Sequence, residues 1–178
     1  METDHLILRK FAAADWQDLY EYLSDEEVIR FEPYEAFSID RSRKEAMERA
    51  ANPAFWAVCL KESEKLIGNI YFEKQDYETW EIGFVFNRSY QGKGYATEAA
   101  RSVMAYGFTK ANVRRIIAKC NPDNTASWHL LDRLGMRREG HLRENIWFRK
   151  DTSGQPIWQD TYEYAILARE WELSLIHI

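Results

Sequence analysis

The segment "EIGFVFNRSYQGKGYATEAA", residues 81–100, constrains the fold more than any other in this chain. An apolar run of strand character gives way to a polar turn, two glycines bracket a lysine, and a stretch rich in small residues follows at helical spacing. A glycine turn feeding a helix gathers backbone N–H groups and the positive end of the helix dipole at one point, a design that holds phosphate. Such a chain has to supply a strand, a tight loop and a helix that lies close on a sheet, with Ala96, Ala99 and Ala100 permitting the approach.

Three phosphate-binding designs share that outline, and two of them fail here. The dinucleotide fingerprint of the doubly wound fold needs a small residue three positions after its second glycine, where this chain has Thr97. The P-loop needs glycine five residues before the Gly-Lys pair and Ser or Thr after it, where this chain has Asn87 and Gly94. What remains is "QGKGYA", in which the amides of Gly92, Lys93, Gly94, Tyr95, Ala96 and Thr97 can converge on a pyrophosphate while Gln91 and Lys93 add side-chain donors. The plainer alternative is a helix start with flexible glycines.

The rest of the chain gives an element order that narrows the choice. Residues 6–11 read as a strand and 13–23 as a helix with Trp16, Leu19, Tyr20 and Leu23 on one face; 25–30 extend it as a second short helix, and 40–51 form a charged helix. Strands follow at 55–61, 66–74 and 80–86 as an antiparallel meander. After the glycine loop, 94–110 is helical, 115–119 a strand, and 124–134 a helix stopped by Gly135. Residues 137–149 and 158–168 close the series as two long strands around "DTSGQP". This is a mixed α/β layer with an antiparallel meander, unlike the regular βαβ alternation of a doubly wound sheet.

Composition bounds the function. A chain of 178 residues with 46% hydrophobic and 15% aromatic residues is expected to fold as a single domain, residues 1–178, with a substantial core. A formal charge of −5 argues against general affinity for nucleic acid or anionic membrane, so an anionic ligand has to be captured locally. Cys59 and Cys120 suit neither a CxxC motif nor a disulfide framework and read as buried thiols in a reducing compartment. The start "METDHLILRKF" has neither a basic leader nor a long apolar run, and no segment approaches a membrane span, so the expectation is a soluble cytoplasmic protein.

The strand "EIGFVF" with its loop resembles the pyrophosphate-binding motif of the Gcn5-related N-acetyltransferase superfamily. Downstream, "NPDNTASWHLLDRLGMRREG" is similar to the second half of that family's signature, and the likeness runs from "LILRKF" to "DTYEYAILAREW". It is nearest the RimJ/RimL-like branch that acetylates ribosomal-protein N-termini. The resemblance implies an α/β fold of the acyl-CoA N-acyltransferase type: a mixed, mostly antiparallel sheet of about seven strands flanked by helices, splayed between its fourth and fifth strands. It further implies acetyl-CoA as donor, no metal, a primary amine as acceptor, and a monomer or homodimer.

Acetyl transfer needs a neutral amine, a stabilised oxyanion and an exit for the thiolate. The family places the thioester oxygen against a backbone N–H of the strand Phe84, Val85, Phe86. Glu81 on that strand is the candidate base, through a water, against the alternative of a solvated charge. An α-amino group with pKa near 7.7 to 8 is already partly neutral, whereas a lysine near 10.4 needs a stronger base. The family tyrosine expected three residues before Leu134-Gly135 is Leu131 here; Ser127, three residues after Asn124, matches the serine of the ribosomal branch, against the alternative of a helix cap. Asn124 is expected to face the pantetheine arm. His5, His129, His141 and His177 form no metal-binding spacing. Trp16, Tyr20, Phe31, Tyr34, Trp147 and Trp158 are candidates to wall the acceptor site, against the alternative of core packing for most of them. The acceptor expected from the branch is a protein or peptide α-amine, with a small-molecule amine and a non-catalytic acetyl-CoA sensor as alternatives.

Overall fold

The computed structural model describes residues 1–171, and His177 lies outside them. Seven strands form one sheet in the order β1-β2-β3-β4-β5-β7-β6: β1 Leu6–Arg9, β2 Phe55–Leu60, β3 Leu66–Lys74, β4 Thr79–Phe86, β5 Arg115–Cys120, β6 Arg137–Lys150 and β7 Pro156–Leu167. All neighbours are antiparallel except β4 and β5. Helices α1 Trp16–Leu23 and α2 Ile39–Ala51 cover one face, and α3 Tyr95–Thr109 and α4 Thr125–Arg133 the other. Among the described residues no helix is long and apolar enough to cross a membrane.

Side-chain alternation along β4 assigns the two layers. Ile82 and Phe86 point into the core shared with Val103 and Met104 of α3 and Leu130 of α4. Val85 points the other way, into a core with Leu19, Tyr22 and Leu23 of α1 and Ala46 of α2. The expected face of α1 is partly displaced: Tyr22 is fully buried where Tyr20 and Trp16 are half-buried, because the Tyr22 hydroxyl donates to Asn69 Oδ1 on β3 at 2.9 Å. Helix α3 lies close on the sheet as its alanines require, with Ala99 and Ala100 fully buried.

One expected element is absent. Residues 25–30 form turns, with Val28 N–H and Ile29 N–H both donating to the Asp25 carbonyl, and no helix. The Asp25 carboxylate accepts the Glu27 N–H at 3.0 Å, a local bond that competes with helix continuation. The expected strand at residues 6–11 is shorter, ending at Arg9, whose guanidinium pairs with Asp15 at 2.7 Å.

Gly68 shows how tightly β3 and β4 meet. A Cβ there would lie 2.6 Å from Phe86 Cδ1 and 2.7 Å from the Val85 carbonyl oxygen. Gly68→Ala is therefore expected to cost about 1–3 kcal/mol by overpacking, read as a lower urea midpoint at unchanged m-value. Gly83→Ala, whose Cβ would sit at an ordinary 3.7 Å from Tyr71, serves as the near-neutral control.

Candidate active site

The one parallel pairing in the sheet is short, and its shortness makes the site. β4 and β5 pair only over Thr79, Trp80 and Glu81 against Arg115, Ile116 and Ile117. Beyond that β4 follows β3 while β5 follows β7, so the two strands part and leave a cleft of about 1430 Å³. Backbone bonds at either end of β4 set which groups face it. Gln75 N–H donates to Thr79 O, and Asn87 N–H to Ile67 O, so the odd-numbered residues bond to β3. The N–H groups of Phe84 and Phe86 therefore turn toward the gap, while that of Val85 is committed to β3. Of the three residues expected to offer an amide, two can.

On the α3–α4 side the gap opens at the glycine loop. Gly92 and Gly94 both have left-handed backbone, φ 73° and 86°, which glycine alone adopts without strain, and a Cβ at either would meet nothing within 4 Å. Gln91, Gly92, Gly94, Tyr95, Ala96 and Thr97 line the cleft. The Gln91 side-chain amide donates to the Phe86 carbonyl at 2.9 Å, which braces the loop against the end of β4. Lys93 is not among the lining residues: its ammonium lies 5.3 Å from the Tyr90 ring centroid, where a cation–π contact holds it.

At the start of α4, Asn124 and Ser127 both line the cleft. Asn124 is the cap, its side-chain oxygen accepting the Ser127 N–H at 3.2 Å, so the helix-cap alternative for Ser127 does not hold. The Ser127 side chain instead lies near the Cys120 thiol; burial pushes that thiol up to about 11, with Ser127 pulling the other way. Cys120 and Cys59 are both buried and free.

On the α1–α2 side a different set of groups converges. Glu81 meets Lys119 of β5 at 3.2 Å across the narrow end of the cleft. The Tyr71 hydroxyl is bonded to Glu73 beside them, and burial raises its pKa. Arg49 of α2 is 4% exposed; its Nε meets Glu45 at 2.8 Å and its Nη1 donates to Asn69 Oδ1 at 2.9 Å, with the Phe55 ring centroid 4.5 Å away. Burial works to lower its pKa, but Tyr22 and Glu45 outweigh it and the guanidinium stays charged. The α1–α2 connection adds Phe31, Glu32 and Tyr34 to the wall.

The hairpin β6–β7 supplies the remaining wall. Its register shifts between Leu142 and Ile146, with Glu144 at φ 44°, and the bulge carries Asn145 to the cleft. Asp160 holds the bulge by accepting from Glu144 N–H, His141 Nε2 and Arg143 Nη1 at 2.8, 2.7 and 2.9 Å. These bonds, the Glu144 N–H foremost, keep its carboxyl below the usual range. His141 itself does not line the cleft. Arg149 ties the hairpin to the α1–α2 connection by donating to the carbonyls of Arg30 and Ile29.

Of the aromatic wall candidates, Phe31 and Tyr34 line the cleft, whereas Trp147 and Trp158 stand exposed on the hairpin and Trp16 lies under the Arg43 guanidinium. Sequence reading missed Arg49, Glu32, Asn69 and Lys119, which reach the cleft from four different elements. The only local signal was the string "FEPY", a carboxylate and two rings around a proline in an otherwise polar connection.

Comparison with known proteins agrees with this architecture. The family description "Acetyltransferase (GNAT) domain" matches residues 5–137. YnaD of Bacillus subtilis (strain 168), an uncharacterized N-acetyltransferase, is 41% identical over 171 residues, 95% of this chain and 97% of that one. The crystal structure of a GNAT-family acetyltransferase from Bacillus anthracis superposes with a TM-score of 0.87 at 38% identity, covering 95% of this chain and 98% of that one. The spermidine N-acetyltransferase of Vibrio cholerae, solved with CoA and spermine, shares the fold at a TM-score of 0.78 and 20% identity over 96% of this chain and 99% of that one. The splayed sheet with its glycine loop, and a match spanning most of the chain, lead to one conclusion: this protein is an N-acetyltransferase of the Gcn5-related (GNAT) family.

Proposed function

We propose that the protein moves the acetyl group of acetyl-CoA directly to a primary amine, and that its acceptor is the α-amine of a protein or peptide. The observation that carries this reading is the passage of the cleft through the sheet. Donor-binding loop and acceptor wall lie on opposite faces and meet where Phe84 and Phe86 turn their amides into the gap. In this reading Gln91 and the amides from Gly92 to Thr97 hold the pyrophosphate, Asn124 faces the pantetheine arm, and a strand amide takes the thioester oxygen. Lys93 contributes its backbone amide.

The proton balance favours an α-amine. Glu81 already pairs with Lys119, so the group best placed to accept a proton shares its charge with a neighbouring cation. That cation also disfavours a second positive charge beside it, which helps an incoming amine to be neutral. An α-amine of pKa about 7.7 to 8 meets this condition near neutral pH, and a lysine side chain does not. The nitrogen attacks the thioester carbon, the C–S bond breaks, and Ser127 relays a proton toward the departing sulfur. A small cationic amine is the second reading, favoured by Glu27, Glu32 and Glu45 on the acceptor wall.

Free-thiol release from acetyl-CoA across a panel of peptides, amino acids and polyamines tests both. Turnover highest with a peptide α-amine supports the first reading, and turnover confined to polyamines replaces it with the second. With the best acceptor, Glu81→Gln and Ser127→Ala are each expected to lower kcat by about 100-fold, the lower end of the range for a positioned acid or base. If both variants turn over as the wild type does, these roles are wrong.

A further inference from the structure

The α1–α2 connection brings two carboxylates to the cleft wall, Glu27 and Glu32, neither in an ion pair among the described residues; Glu27 is exposed to solvent and Glu32 is the one partly withdrawn from it. Glu32 is half-buried and lines the cavity with Tyr34 and Arg49. Arg49 is already occupied by Glu45 and Asn69, so the pair Arg49–Glu45 is neutral and Glu32 stands as an additional negative charge. Among the described residues no Lys, Arg or His forms an ion pair with it, and the Tyr34 side chain beside it favours its ionised form. A carboxylate partly withdrawn from water gains from compensation, and where the protein offers no ion pair, a cation that enters the cavity supplies one.

We infer that Glu32 recognises the acceptor: its carboxylate takes the ammonium group of the incoming amine on the α1–α2 side of the cleft, steadied by the Tyr34 side chain. This rests on the reading of the cleft as an acetyl-transfer site. The groups that act on it are Tyr34 from the same connection and Arg49 from α2, and Tyr34 in turn feels Tyr22 of α1 and Glu45 of α2; Glu27 and Arg30 of the connection, Glu81 of β4 and Lys119 of β5 line the same cavity. Burial pushes the Glu32 carboxyl up to about 7, with Tyr34 and Arg49 pulling the other way. Above that pH the empty site is charged and grips an ammonium; below it the carboxyl is neutral and the grip is lost.

The test compares wild type with Glu32→Gln on the best acceptor of the panel. At pH 8 the acceptor KM is expected to rise about 30-fold, the lower end of the range for removing one partner of a buried charge pair because Glu32 is only partly buried, while the KM for acetyl-CoA stays within twofold and reports an intact donor site. The ratio of wild-type to variant kcat/KM should shrink toward one as pH falls from 8 to 6. Using the ratio cancels the titration of the amine itself. Glu32→Asp should recover part of the loss. An unchanged acceptor KM in Glu32→Gln, or a ratio flat in pH, overturns the inference. Calorimetric titration with the same amines needs no turnover and keeps the two readings apart. Absence of turnover with binding that depends on Glu32 sinks only the acetyl-transfer reading, whereas binding that ignores Glu32, or no binding of any amine, sinks this one.

Discussion

Phe84→Pro is expected to slow acetyl transfer about 100- to 1000-fold relative to Phe84→Ala, the loss that follows removal of one oxyanion donor. Both variants lack the ring; only the proline lacks the N–H. That N–H can be deleted without tearing the sheet, because β4 bonds to β3 through its odd-numbered residues and Phe84 faces the gap where β5 has turned away. Proline is tolerated in a strand where its missing donor had no ladder partner. One position along, Val85→Pro removes a bond within the β3–β4 ladder and is expected to cost folding instead. The measurement is kcat at saturating acetyl-CoA and acceptor, with thermal melts of all three variants. Equal turnover by the alanine and proline variants would remove Phe84 from the oxyanion role and leave the Phe86 amide as the remaining strand donor.

The same alternation explains what the sequence showed and what it hid. The glycine-loop side of the cleft was legible because its determinants are local: a loop that needs left-handed backbone at Gly92 and Gly94, a helix that needs Ala99 and Ala100 against the sheet, and a strand directly before them. Element order and the splay between β4 and β5 followed from the same segment and its family resemblance. The α1–α2 side of the cleft is assembled across long separations. Arg49 meets Asn69, Lys119 meets Glu81, and Arg149 reaches Ile29 and Arg30, and none of these contacts leaves a spacing rule in the chain. Lys93 makes a local contact that the spacing of the loop did not announce. A lysine in a phosphate loop reads as a phosphate ligand, yet a neighbouring Tyr90 gives its ammonium a ring to lie over.

The largest expected loss of stability falls in that hidden part. Arg49→Leu should destabilise the protein by about 3–5 kcal/mol, the cost of breaking a buried ion pair from one side. The leucine fills much of the space but strands three groups at once. Glu45 loses its partner at 2.8 Å, Asn69 Oδ1 keeps only the Tyr22 hydroxyl, and the Phe55 ring loses the cation beside it. For a chain of this size each kcal/mol moves the midpoint by roughly 2–4 °C, so a drop of about 10 °C in Tm is the expected reading. The double replacement Arg49→Met with Glu45→Met separates the two sources of that loss. If most of it is the cost of an orphaned Glu45, the double variant recovers much of the stability, since removing both charges for apolar groups is often close to neutral. If the double variant is as unstable as the single one, the guanidinium is holding Asn69 and α2 to the sheet. In either case the glycine loop lies on the opposite face, so acetyl-CoA affinity of the folded fraction should stay near wild type while the acceptor KM rises. A parallel loss of both affinities would mean that Arg49 shapes the whole cleft and not its acceptor wall.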